Sequence, residues 1–148
     1  MPNASMKMLI ELTNNDVDQE ERRLAKLNSE QAKASEQLTM LKHYREDYTN
    51  RLLDSSKSGV SVANYHNFYR FIGTLDQAIS QQSTVLEQFT RKIEVQQKQW
   101  LDAKQRLNAY QTLQDRRDAE QAQRLARQEQ RDNDELSAAM HYRLHHTN

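Results

Sequence analysis

The chain has no cysteine, one proline and two glycines among its 148 residues. Without thiols it forms no disulfide and no thiolate metal site. With so little glycine and proline it lacks the turn residues that a domain of several strands requires, and its proline, Pro2, precedes anything it could break. Charge of one sign is missing as well. The 21 basic residues equal the 21 acidic ones, so the basic surface that draws most nucleic-acid binding is absent, and no nucleic-acid partner is expected. No apolar run reaches the length that crosses a membrane. The first thirteen residues are interrupted by Ser5, Lys7 and Glu11, unlike a secretory signal. Retention in the cytoplasm follows as the expectation. With 36% apolar and 28% charged residues, material for a thick core is short, and a long, thin, all-α molecule is expected.

What is present is a repeat. Spacings alternating between three and four connect Ile10, Thr13, Val17, Glu20, Leu24, Leu27, Gln31, Ala34, Leu38, Leu41, Arg45, Tyr48 and Leu52. A second run connects Tyr65, Phe68, Ile72, Leu75, Ile79, Gln82, Leu86, Phe89, Ile93, Gln96, Trp100, Ala103, Leu107, Tyr110 and Gln114. A strict seven-residue period held this long makes a helix supercoil around a partner, since a straight helix would carry its stripe away from the seam. Gln31 and Arg45, at seam positions, cost stability but oppose sliding.

Between the runs, Asp54 to Ser61 is the one segment where serine and glycine cluster. Gly59 can adopt the left-handed angle that closes a helix, and Ser61 can cap the next. So short a connection makes the helices antiparallel. Helix 1 is expected over about 5–53, the hinge over 54–61 and helix 2 over 62–138, with a frayed tail at 139–148, all in a single elongated domain. Folding at the hinge brings Leu38 near Leu75 and Leu41 near Ile72; a displaced register pairs Leu41 with Ile79 instead, and the pattern does not choose. Beyond Gln114 the stripe stops. Asp115 to Glu135 carries twelve charged residues among 21, yet Ala, Gln, Arg and Glu keep helix propensity high. Helix 2 should continue as an overhang, on the order of 115 Å long against roughly 75 Å for helix 1. The fold class is therefore all-α: a long two-helix antiparallel coiled-coil hairpin with a C-terminal helical overhang.

A seam one side chain deep offers no pocket for an enzyme, and two isolated glycines make no phosphate loop. His141 and His145 stand four apart with His146 adjacent, but at a terminus with no third ligand, and read as solvated rather than metal-binding. No cofactor is implied. Arg116, Arg117, Arg124, Arg127 and Arg131 form a cationic stripe that neighbouring carboxylates neutralise, chiefly as a solvated face with i,i+4 pairs. The aromatics are harder to place. Tyr48, Tyr65 and Phe68 fit the seam, whereas Tyr44 and Phe71 fall at g positions and Tyr69 at an e position. Rings left beside a seam either lean over it or mark an interaction surface.

Three segments bear a specific likeness. Glu36 to Tyr48, Asn67 to Ile79, and Trp100 with Lys104 to Arg116 resemble the flagellar FliJ proteins, at positions outside the seam as well as within it. The likeness runs from about Met8 to Met140 with the hinge in the same place. It implies a small component of the flagellar type III export apparatus, shaped like the central stalk of a rotary ATPase. The paired termini would enter the hexameric flagellar export ATPase, and the hairpin would meet the cytoplasmic linker of the membrane export gate protein. Recycling of flagellar export chaperones is also implied, as is peripheral association with the inner membrane at the flagellar base. Such a protein is not an enzyme and is expected to be a monomer when free.

Carried over by resemblance, the gate contacts fall on Gln37, Leu41, Tyr44 and Tyr48 in the first helix. In the second they fall on Phe71, Leu75, Ala78 and Gln82, the last replacing a typical histidine. Each quartet steps by four, three and four, a continuous d/g stripe that takes in the otherwise unexplained Tyr44 and Phe71. Ring contact falls on the charged helix after Gln114, with Arg116, Arg117, Arg124, Arg127 and Arg131, and on the residues before Val17. Two other readings share the architecture: a structural coiled coil that self-associates through its aromatic stripe, and the equivalent stalk of a virulence-type secretion system.

Overall fold

Two helices account for the secondary structure of the computed structural model, which describes residues 2–57, 59 and 61–146: α1 (Pro2–Lys57) and α2 (Val62–His146). Among the described residues there is no strand. Both helices absorb threonines that would otherwise compete for backbone partners. Thr39, Thr49, Thr74, Thr84, Thr90 and Thr112 each donate a hydroxyl to the carbonyl four residues back.

The ends of both helices lie beyond their expected limits. α1 continues through Asp54 to Lys57, the stretch read above as hinge. Ser56 Oγ donates to the Leu53 carbonyl at 2.8 Å, and Lys57 places a positive charge in the last turn, where the helix dipole favours it. The turn proper is shorter. Gly59, at φ 79°, takes the left-handed conformation. Ser61 then caps α2: its Oγ accepts from the Asn64 N–H at 3.4 Å, and its carbonyl accepts from the Tyr65 N–H at 3.0 Å. At the other end α2 stays helical to His146, where fraying from residue 139 was expected. Arg143, His145 and His146 offset the dipole there. The His141 and His145 rings also meet at a tilt, with centroids 4.1 Å apart, and Tyr142 stacks on His146 at 4.0 Å.

The chain divides into two units, Asp16–Ala103 and a second made of Met1–Asn15 with Lys104–Asn148. Within the first, the helices run antiparallel along the heptad seam. Val17, Ala34, Leu38, Leu75, Ile93 and Ala103 are buried. The remaining seam positions of this unit are half-buried or buried, with two exceptions, Arg45 and Tyr65. Among the described residues no large side chain is fully buried, as a seam one side chain deep requires.

Cross-helix contacts in this unit decide between the two registers. Gln31 donates to Thr90 Oγ1 at 3.1 Å, Trp100 Nε1 donates to Glu21 at 3.2 Å, and Tyr48 packs on Phe68 and Phe71. These place Leu41 level with Ile79. The alternative pairing of Leu38 with Leu75 and Leu41 with Ile72 is therefore not adopted. The longer α1, helical to Lys57, accompanies this alignment.

In the second unit Met6, Thr13 and Leu107 are buried, and Thr13 Oγ1 donates to the Leu9 carbonyl at 2.7 Å. Every described residue from Asp115 to His146 is exposed.

Candidate interaction surfaces

In an antiparallel pair of heptad helices the g positions of both share one flank of the seam and the e positions share the other. The Asp16–Ala103 unit makes these flanks chemically different. On the g flank, the Tyr48 ring meets Phe71 with centroids 4.4 Å apart and Phe68 at 6.0 Å. About three turns further along, Gln82 Nε2 donates to Gln37 Oε1 and to the Ala34 carbonyl, each at 3.1 Å. The e flank carries polar contacts instead: Arg45 with Asp76, Gln31 with Thr90, and Glu21 with Trp100. The hydrogen bond and charge of Asp76 raise the Arg45 guanidinium above its ordinary value.

The eight residues assigned to gate contact thus fall on one flank, but at different depths. Tyr44 and Phe71 are 52% and 42% exposed. Gln37 is also exposed, while Leu41, Tyr48, Ala78 and Gln82 are half-buried. Leu75 is buried at 7% and supports the flank from below rather than presenting itself. Two neighbours escaped the sequence reading. Arg51 lies over the Tyr48 ring at 5.7 Å, and Val85 is exposed. Both were findable, since Arg51 follows Tyr44, and Val85 follows Ala78, by seven residues. Tyr69 remains on the e side, 66% exposed.

A different surface lies on α2 beyond Gln114. Arg116, Arg117, Arg124, Arg127 and Arg131 are all exposed. Among the described residues none of the five forms an ion pair, although Arg116 with Glu120, Glu120 with Arg124, and Arg131 with Glu135 stand at i,i+4. The expected lattice of intrahelical pairs is open, which leaves five guanidinium forks available to an anionic partner. Depressions along the seam, such as one of about 360 Å³ beside Leu27, Lys92, Val95 and Gln96, are open to solvent. Among the described residues there is no group of three or more metal-ligating side chains, and no helix is long and apolar enough to cross a membrane.

Comparison with protein families matches residues 2–145 to "Flagellar FliJ protein". The chain belongs to the flagellar FliJ family. Among curated proteins of that family, it is 36% identical over 116 residues to one from Salmonella typhi, covering 78% of this chain and 79% of that protein. It is 34% identical over 113 residues to one from Escherichia coli strain K12, covering 76% and 77%. Membership makes the chain a component of the flagellar export apparatus.

Proposed function

We propose that this chain is a non-enzymatic stalk and adaptor of flagellar export, binding the membrane export gate through the g flank of its hinge-proximal hairpin and the hexameric export ATPase through its termini. The observation that carries the gate assignment is the Tyr48–Phe71 contact at 4.4 Å. It joins the two quartets into one aromatic patch edged by the exposed Tyr44 and by Arg51. Aromatic and arginine side chains clustered at the rim of a packed seam are the composition of interface anchors.

The ATPase role is supported by the exposed helix from Asp115 to His146 with its unpaired arginines. Its charge-dense stretch from Asp115 to Glu135 is exposed throughout and suits a partner's charged lumen. Escort of export chaperones belongs to the same reading. Leu136, Met140 and Leu144, spaced by four and each more than half exposed, give α2 a narrow apolar stripe for such a contact. Association with the inner membrane is then peripheral, through the gate.

The test is binding of the isolated cytoplasmic linker of the gate to the wild-type chain and to Tyr44→Ala/Phe71→Ala, with light scattering on the same samples. Loss of binding by a monomeric, fully helical variant supports the reading. Undiminished affinity sinks the site, and a wild-type dimer that dissociates in the variant would make the patch a self-association surface.

A further inference from the structure

The apolar stripes of α1 and α2 admit two registers seven residues apart, because that displacement restores the same heptad phase. One is observed; the other would set Leu38 against Leu75 and Leu41 against Ile72. Hydrophobic burial is non-directional and keeps leucine, isoleucine and phenylalanine opposite one another in both. The displaced register also costs little backbone, since it unwinds only the last turn of α1, where Asp54, Ser55 and Ser56 are weak helix formers.

Polar side chains in and beside the seam separate the two. As observed, Arg45 bonds Asp76, and Gln96, only 7% exposed, donates to the carbonyl and the carboxylate of Glu20. Displaced by seven, Arg45 would face Phe68, Gln96 would face Val17, and Glu20 would face Ile93, leaving a buried amide and two charges without these partners. Gln82 does not discriminate, because Gln31 would face it. The displacement would also carry Tyr48 off Phe71 and opposite Tyr65, dividing the g-flank patch.

We infer that Arg45 and Gln96 are positioning residues that select the register of the hairpin, and that this selection brings Tyr48 against Phe71 and Gln37 against Gln82. Neither belongs to the eight residues assigned to gate contact. A single polar residue in a seam is the best-attested means of fixing coiled-coil alignment, at a cost in stability. Only the functional consequence rests on the gate-binding reading; the register itself does not.

The absence of cysteine makes the test direct. Leu41→Cys/Ile79→Cys reports the observed register and Leu38→Cys/Leu75→Cys the displaced one. The two alignments differ by about 10 Å along the axis, so a short thiol-bridging reagent separates them. In the otherwise unaltered chain the first pair should link and the second remain at background. Adding Arg45→Leu and Gln96→Leu should raise linkage of the second pair at least about tenfold, the size expected when a charged hydrogen bond and a surface pair are removed. Exchanging the partners as Arg45→Asp/Asp76→Arg, with Gln96 intact, should hold the second pair at background.

An unchanged ratio in the leucine variant, with helicity retained, overturns the inference. So does loss of helicity there, because a more apolar seam should still hold the pair, and so does a displaced register in the exchanged variant. Gate affinity measured on the Arg45→Leu/Gln96→Leu chain without the reporter cysteines, so that Leu41 and Leu75 are native, keeps the two proposals apart. A displaced register with undiminished affinity refutes the gate site and leaves the register assignment standing; an undisplaced register does the reverse.

Discussion

Tyr44 and Leu75 lie in one proposed contact set, but the structure gives them opposite roles, and that contrast is measurable. Leu75 is 7% exposed in the seam, whereas Tyr44 is 52% exposed on the flank. Leu75→Ala removes three carbons from a packed position and should cost about 2–3 kcal/mol of stability, the low end of the buried-leucine range because the seam is shallow. Tyr44→Ala removes a ring that packs on no other aromatic among the described residues, and the gain in helix propensity offsets part of the lost contact. Its stability should change by no more than about 0.5 kcal/mol. Binding should rank the other way. An aromatic anchor at an interface is worth about 2 kcal/mol, or roughly thirtyfold in Kd. Leu75→Ala, measured where it is still folded, should cost less than about fivefold. Chemical denaturation followed by circular dichroism gives the first pair of numbers, and titration calorimetry with the gate linker gives the second. If Leu75→Ala weakens binding thirtyfold while Tyr44→Ala leaves it unchanged, the gate does not read the exposed flank.

Gly73 lies inside α2 and an added Cβ there meets nothing within 4 Å, so Gly73→Ala should stabilise the hairpin by about 0.5–1 kcal/mol in thermal melts. Gly59→Ala should destabilise it by about 1 kcal/mol in the same assay, because φ 79° is unfavourable for any side chain. Removing residues 115–148 should leave the Asp16–Ala103 seam melting unchanged while abolishing stimulation of the export ATPase; full stimulation by the shortened chain would refute the stalk role. Replacing Arg116, Arg117, Arg124, Arg127 and Arg131 by Gln should preserve helicity, since no ion pair is lost, and reduce stimulation in proportion to salt-sensitive binding.

The seam was legible because period is a long-range average. Each of the 28 seam positions counted in the two runs contributes to one phase, and the errors at Arg45 and Tyr65 do not disturb it. The register was not legible, because both alignments keep the same heptad phase and differ in polar partners such as Arg45 with Asp76 and Gln96 with Glu20. The end of α1 was not legible either: Asp54, Ser55 and Ser56 have weak intrinsic preference yet are helical, with the Ser56 hydroxyl donating to the Leu53 carbonyl. The C-terminal turn illustrates the same point: stacked rings and terminal cations hold residues that composition alone assigned to a frayed end. As for the surfaces, the g-position stripe predicted which residues share a flank, but depth is a property of packing, and periodicity could not place Leu75 beneath Tyr44.

The two flanks of the hairpin carry different chemistry, an aromatic cluster with an amide pair on one and an ion pair with polar hydrogen bonds on the other. A binding site confined to one flank has an azimuth as well as a height along the axis. Half a turn about that axis replaces Tyr44, Tyr48 and Phe71 with Arg45, Asp76 and Tyr69, and a partner held at a fixed bearing would find a different surface before it.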